Sequence, residues 1–148
     1  MIPHRAFYFK KLVQYPSDNA VNEEPPLSIY SDHLITIEIH ESEVPWLKVF
    51  TRREVKEFSH CTPAEKSAIW HALDVIEKLM LEYYRPEKIN IASFGNMLPH
   101  VHWHISARFK EDSHFPEPMW GPKQREADLD LPPMGAFVER LVEALRGF

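Results

Sequence analysis

Seven residues near position 100, Pro99-His100-Val101-His102-Trp103-His104-Ile105, constrain what this chain can fold into more than any other stretch. Side chains on a β-strand point alternately to its two faces, so an extended segment here puts His100, His102 and His104 on one face. Val101, Trp103 and Ile105 then fall on the other, apolar enough to be clamped into a core that holds the imidazole row rigidly. With 9 His in 148 residues, a chance His-x-His-x-His is expected about 0.03 times, from ~0.06 cubed over roughly 144 starting positions. A purely structural use is also costly, because each buried imidazole needs partners for its ring nitrogens. The row therefore reads as a functional site.

The remaining chain supplies a scaffold for that strand. A length of 148 residues, 44% hydrophobic and 26% charged, suits one globular domain able to bury a core without staples. Residues 1–26, with Pro16, Pro25 and Pro26 among aromatics, read as an N-terminal arm. Residues 27–108 read as the core. Alternation predicts a hairpin from residues 27–30 and 34–39 around Ser31-Asp32-His33, followed by a third strand over residues 46–51. Thr62-Pro63-Ala64-Glu65 is a capping box with proline at the first helical position. The helix it opens carries an apolar stripe of Ile69, Leu73, Ile76, Met80 and Tyr83 and stops before Pro86. Residues 88–94 predict a fourth strand, Gly95-Asn96 a turn, and the segment from Pro99 the fifth. Residues 109–132 are irregular and proline-rich, and residues 133–147 form a second amphipathic helix. Strands joined by tight turns around one long helix predict an α+β domain with an antiparallel five-stranded sheet.

Composition narrows the function classes. The net charge of −5 offers no basic footprint for a nucleic-acid backbone, and no apolar run reaches membrane length. Cys61 is the single cysteine, which excludes an internal disulfide and a thiolate zinc cluster and suits a reducing compartment. With no secretory pattern at Met1 to Gln14, the expectation is a soluble cytoplasmic protein.

Two chemistries fit the histidine row. Alternate strand histidines can ligate zinc, but three same-face positions span about 13–14 Å along a flat strand, too far for one ion, so no metal site is expected. One histidine can instead act as nucleophile at phosphorus while its neighbours donate hydrogen bonds. An aromatic held in the irregular loop after the strand, Trp120, is placed to border the pocket.

The run from Asn90 to Ile105, Asn-Ile-Ala-Ser-Phe-Gly-Asn-Met-Leu-Pro-His-Val-His-Trp-His-Ile, resembles the signature of the histidine triad (HIT) superfamily. The resemblance covers about residues 27–108 and extends to the Phe115 to Gly121 stretch, similar to the tail of bacterial members. It implies a HIT-like fold and a homodimer that needs no cofactor. The implied activity is a nucleotide hydrolase or transferase cleaving a nucleoside phosphate anhydride, such as a dinucleoside polyphosphate, through a nucleotidyl-histidine. By that resemblance His102 attacks phosphorus, His104 contacts the phosphate or leaving group, and His100 supports His102. Asn96 takes the place of an amide against phosphate oxygens, Asn90 a second polar position, and Glu41 an acidic residue near the ribose. The chain departs from the family pattern at Met97, where many members carry Ser or Thr, and at Trp46, where several carry a fourth histidine. The alternatives are a nucleotide-binding or sensing protein with little turnover, and a nucleoside phosphoramidase.

Overall fold

The computed structural model describes residues 28–147; residues 1–26, expected to form an arm, lie outside the described residues. Five strands form one sheet: β1 (Ser28–Ser31), β2 (Ile35–Ile39), β3 (Trp46–Thr51), β4 (Lys88–Ala92) and β5 (His102–Arg108). Their spatial order is β1-β2-β3-β5-β4, and every pair is antiparallel. Between β3 and β4 runs α1 (Pro63–Tyr84), and the described chain closes with α2 (Met134–Arg146). The α+β architecture with one long and one C-terminal helix is as expected.

Asp32 fixes the first hairpin by accepting the Leu34 and Ile35 amides at 2.7 and 2.9 Å, an Asx turn made by the residue type that favours it. At the start of α1 the Thr62 hydroxyl accepts the Glu65 amide and Glu65 accepts the Thr62 amide. Arg53 adds an ion pair to the same carboxylate at 2.7 Å. Arg52, the other arginine at the end of β3, donates to the Ser31 hydroxyl and the Asp32 carbonyl. Both are thus engaged within the fold. α1 ends at Arg85 in the left-handed region, φ 50°, directly before Pro86, which cannot continue a helix.

Pairing fixes which side chains share a face. Ile37, Val49 and Trp103 lie in one row across the sheet, with Leu47 and Ile105 in the next. These point at α1, whose Trp70 meets Trp103 with ring centroids 5.0 Å apart. The core comprises Ile35, Ile37, Leu47, Val49 and Ile105 from the sheet and Ile69, Leu73, Ile76 and Met80 from α1, all nearly or fully buried. Tyr84, rather than Tyr83, is the buried end of the helix stripe, because α2 lies there and presses Phe137 to 5.2 Å from the Tyr84 ring. The opposite sheet face carries His102, His104, Ser106 and Arg108 of β5, with Trp46, Lys48 and Phe50 of β3 beside them.

The limits of β1 and β2 move by one residue, and two strand limits beside the histidine row differ by more. β4 ends at Ala92 instead of residue 94, and β5 begins at His102, leaving His100 ahead of the strand. The ladder stops because β3 ends at Thr51, and Val101 gives its amide to the Val55 carbonyl at 2.6 Å. Among the described residues no helix is long and apolar enough to cross a membrane.

Candidate active site

His102 opens β5 on the face away from α1, where its environment sets its chemistry. Its Nδ1 lies 2.7 Å from the His100 carbonyl oxygen. A carbonyl only accepts, so Nδ1–H donates and the lone pair is left on Nε2. The ring stacks on Phe50 at 4.8 Å with planes 16° apart, and the Ser93 hydroxyl donates to the His102 carbonyl at 2.6 Å. Ring plane, tautomer and backbone are each held by a different neighbour.

His100, outside the strand, is secured by its own imidazole. Its Nε2–H donates to the Thr51 carbonyl at 2.7 Å and approaches the Thr51 hydroxyl oxygen at 3.1 Å, while that hydroxyl donates to the Arg53 carbonyl. This anchor orients the carbonyl that His102 uses. His100 therefore acts on the neighbouring ring through its backbone, and the expected alignment of three imidazoles on one strand reduces to two strand histidines and one anchored before it.

His104 sits in an aromatic box. Trp46 donates its indole N–H to His104 Nδ1 at 3.0 Å, the reverse of the polarity at His102. The Trp120 ring stands 5.0 Å from both Trp46 and His104 and 4.8 Å from Phe94, and His40 lies 4.1 Å from Trp46. Burial, then the neighbouring His102, His40 and Lys48, push the His104 pKa down to about 4. His104 is consequently a neutral imidazole with its remaining proton on Nε2. Phe94 and Trp120 are about half exposed, so the box has an open wall.

That wall is held by a buried ion pair. Arg108 grips Asp112 with Nε and Nη2 at 2.9 and 3.0 Å, and Asp112 also accepts the backbone amides of Phe109, His114 and Phe115. Arg108 further donates to the Glu117 carbonyl at 2.7 Å, and the Ser113 hydroxyl donates to Glu43 on the turn before β3. Burial would raise the Asp112 pKa, but the guanidinium and the three amides outweigh it and hold the carboxyl below its ordinary range.

The structure brings His102, His104 and Trp120 into one contiguous surface, with His100 behind it. Asn90 faces the same side of the sheet, but its Oδ1 accepts from Arg108 Nη1 at 2.8 Å, so its amide braces the loop anchor. Glu41 and Asn96 stand exposed on the turns that follow β2 and β4. Sequence reasoning missed Phe50, Thr51, Lys48 and Ser93, and noted Trp46 only as a departure. The alternation of β3 held a signal for three of them, since Trp46, Lys48 and Phe50 share a face, but their neighbour became known only from the β3–β5 register. Among the described residues no group of three or more His, Cys, Asp or Glu side chains is placed to share a metal ion.

Known proteins share this fold. The HIT domain model matches residues 22–111. A histidine triad protein from Sinorhizobium meliloti 1021 is 25% identical over 80% of this chain and 88% of its own, with a TM-score of 0.64. One from Bradyrhizobium japonicum is 26% identical over 82% and 89%, at 0.63. A third, from Marinobacter aquaeolei VT8, is 21% identical over 80% and 89% and shares the fold at 0.66. No curated protein matches the chain. With a family model spanning more than half its length and the alternating histidines on the strand where the site lies, this chain belongs to the HIT domain family.

Proposed function

We propose that this protein is a nucleotide hydrolase or transferase that cleaves a nucleoside phosphate anhydride through a nucleotidyl-histidine on His102. The observation that carries the reading is the His102–His100 hydrogen bond at 2.7 Å. It leaves Nε2 as a free nucleophile and supplies an acceptor for the positive charge that develops on the ring during attack. His104, donating from Nε2, contacts the phosphoryl or leaving-group oxygen. Asn96 reaches the phosphate from its turn and Glu41 the ribose, while Trp120 and Phe94 shape the apolar wall. A homodimer belongs to the same reading. It is supported by the outer edge of β4, unpaired among the described residues, and by the exposed apolar side chains Trp70 and Ile91 on the α1 side of the sheet.

His102→Ala should lower turnover of a dinucleoside polyphosphate by at least ~10³-fold, the scale of losing a nucleophile, while nucleotide binding persists. Rapid quench with a labelled substrate should trap an acid-labile adduct on His102. Near wild-type turnover in the variant, or an adduct on another residue, overturns the mechanism. Binding without any turnover in the wild type would favour a sensing protein.

A further inference from the structure

We propose that Trp46 is a positioning residue that locks His104 as a neutral Nε2–H donor, so that this site releases leaving groups that depart as anions and does not protonate them. The proposal rests on the reading of His102 as nucleophile and narrows it to a substrate class.

The lock is geometric. The Trp46 indole can only donate, and it points at His104 Nδ1 from 3.0 Å. A proton added at Nδ1 would set two donors against each other in a half-buried box, so protonating His104 requires breaking this bond. The remaining surroundings act in the same sense. His102 faces His104 from β5 at 5.0 Å, His40 from the end of β2 at 6.1 Å, and Lys48 from the register position directly opposite on β3. Each becomes less compatible with a second cation nearby. Glu38, on β2, lies 3.9 Å from Lys48 and stands beyond it. Trp120 and Phe94 complete the enclosure with rings alone. The depressed pKa of His104 accords with this geometry.

The consequence follows from where the electrons go. The Nε2 lone pair of His102 forms the N–P bond, and the P–O bond to the leaving group breaks with its electron pair on the departing oxygen. His102 keeps its Nδ1 proton, shared with the His100 carbonyl. In the second step water adds to phosphorus, one of its protons passes to solvent, and the P–N electron pair returns to Nε2. A phosphate or nucleotide leaving group carries the new negative charge unaided, and the His104 Nε2–H stabilises it by hydrogen bonding. An alkylamine cannot leave as an amide anion. It needs a proton, and neutral His104 can hydrogen-bond from Nε2 but could give that proton up only by becoming an imidazolate. The substrate class is therefore a nucleoside phosphate joined to an acidic oxygen leaving group, with alkylamine phosphoramidates excluded.

The test uses imidazole nitrogen NMR on the full ligand-free chain. In the wild type, His104 should show a bare Nδ1 and protonated Nε2 with no titration between pH 8 and 5. Trp46→Phe, which keeps a ring but removes the N–H, should raise the His104 pKa by at least about one unit and mix its tautomers. A wild-type His104 that titrates above pH 6, or a variant with unchanged tautomer and pKa, overturns the lock. The wild-type measurement stands even if the variant folds poorly. With substrates, a dinucleoside tetraphosphate should turn over at least ~10²-fold faster than an alkylamine nucleoside phosphoramidate, the usual worth of a missing general acid. Equal rates overturn the substrate restriction. If neither compound is cleaved, the hydrolase reading falls and takes that restriction with it, while the NMR result still decides the role of Trp46.

Discussion

Each histidine of the triad owes its role to one partner atom, since an imidazole has two nitrogens and whichever one is engaged decides what the other can do. A carbonyl beneath His102 makes Nε2 basic, and an indole N–H beside His104 leaves Nε2 as a donor. The second arrangement predicts an acid-sensitive fold. In the unfolded chain His104 takes up a proton near pH 6.5, whereas in the fold it resists protonation until about pH 4. Between those values the unfolded state binds more protons, so stability rises with pH across the window and is lost as pH falls through it. Asp112, held below its ordinary range, acts in the same direction at still lower pH. Its contribution is complete above the unfolded carboxylate pKa and disappears as pH drops through the folded value. Urea midpoints of wild type and His104→Asn should diverge less at pH 4.5 than at pH 7, because the variant loses no unprotonated imidazole on acidification. Parallel pH profiles would remove His104 as a source of the acid sensitivity.

The segment after β5 works as an element although it has neither helix nor strand through residues 109–133. Its order comes from one buried carboxylate that gathers a guanidinium and three amides. Removing one member of such a pair strands the other charge, which costs about 3–5 kcal/mol. Asp112→Ala should therefore lower stability by that amount in denaturant titrations, and a loss below about 1 kcal/mol would show that the loop is held from elsewhere. Trp120, by contrast, is about half exposed against the aromatic box. Its truncation should cost about 1 kcal/mol, half or less of a fully buried large side chain, and about 2–4 °C in melting temperature. Trp120→Ala should nonetheless alter the relative rates of adenine and guanine substrates, because it opens one wall of the box. A large melting shift with unchanged preference would make Trp120 a packing residue.

Across the whole molecule the sheet has α1 on one face and the histidine site on the other, and apolar side chains on the α1 side stay exposed among the described residues. Ile91 is 40% and Trp70 48% exposed, and among the described residues the outer edge of β4 is unpaired. An edge with apolar neighbours invites another chain. Light scattering should give twice the chain mass, and Ile91→Glu should shift the protein toward monomer; an unchanged dimer places its interface elsewhere. What the sequence determined here was local. Alternation at His102-Trp103-His104-Ile105 and over β2 and β3, the capping box at Thr62 and the stop at Pro86 gave strand faces and the limits of α1, because these signals act within a few residues of chain. Alternation gave the row of imidazoles, and the resemblance of that run to the HIT signature gave His102 as the candidate nucleophile. The tertiary structure decided the rest. Trp46 reaches His104 across 58 positions, Phe50 meets His102 across 52 residues of chain whose register pairs them, and His100 leaves the strand because its partner strand has already ended at Thr51. A tautomer is set by the atom that faces it, and which atom that is depends on strand pairing between distant segments, which alternation alone cannot specify.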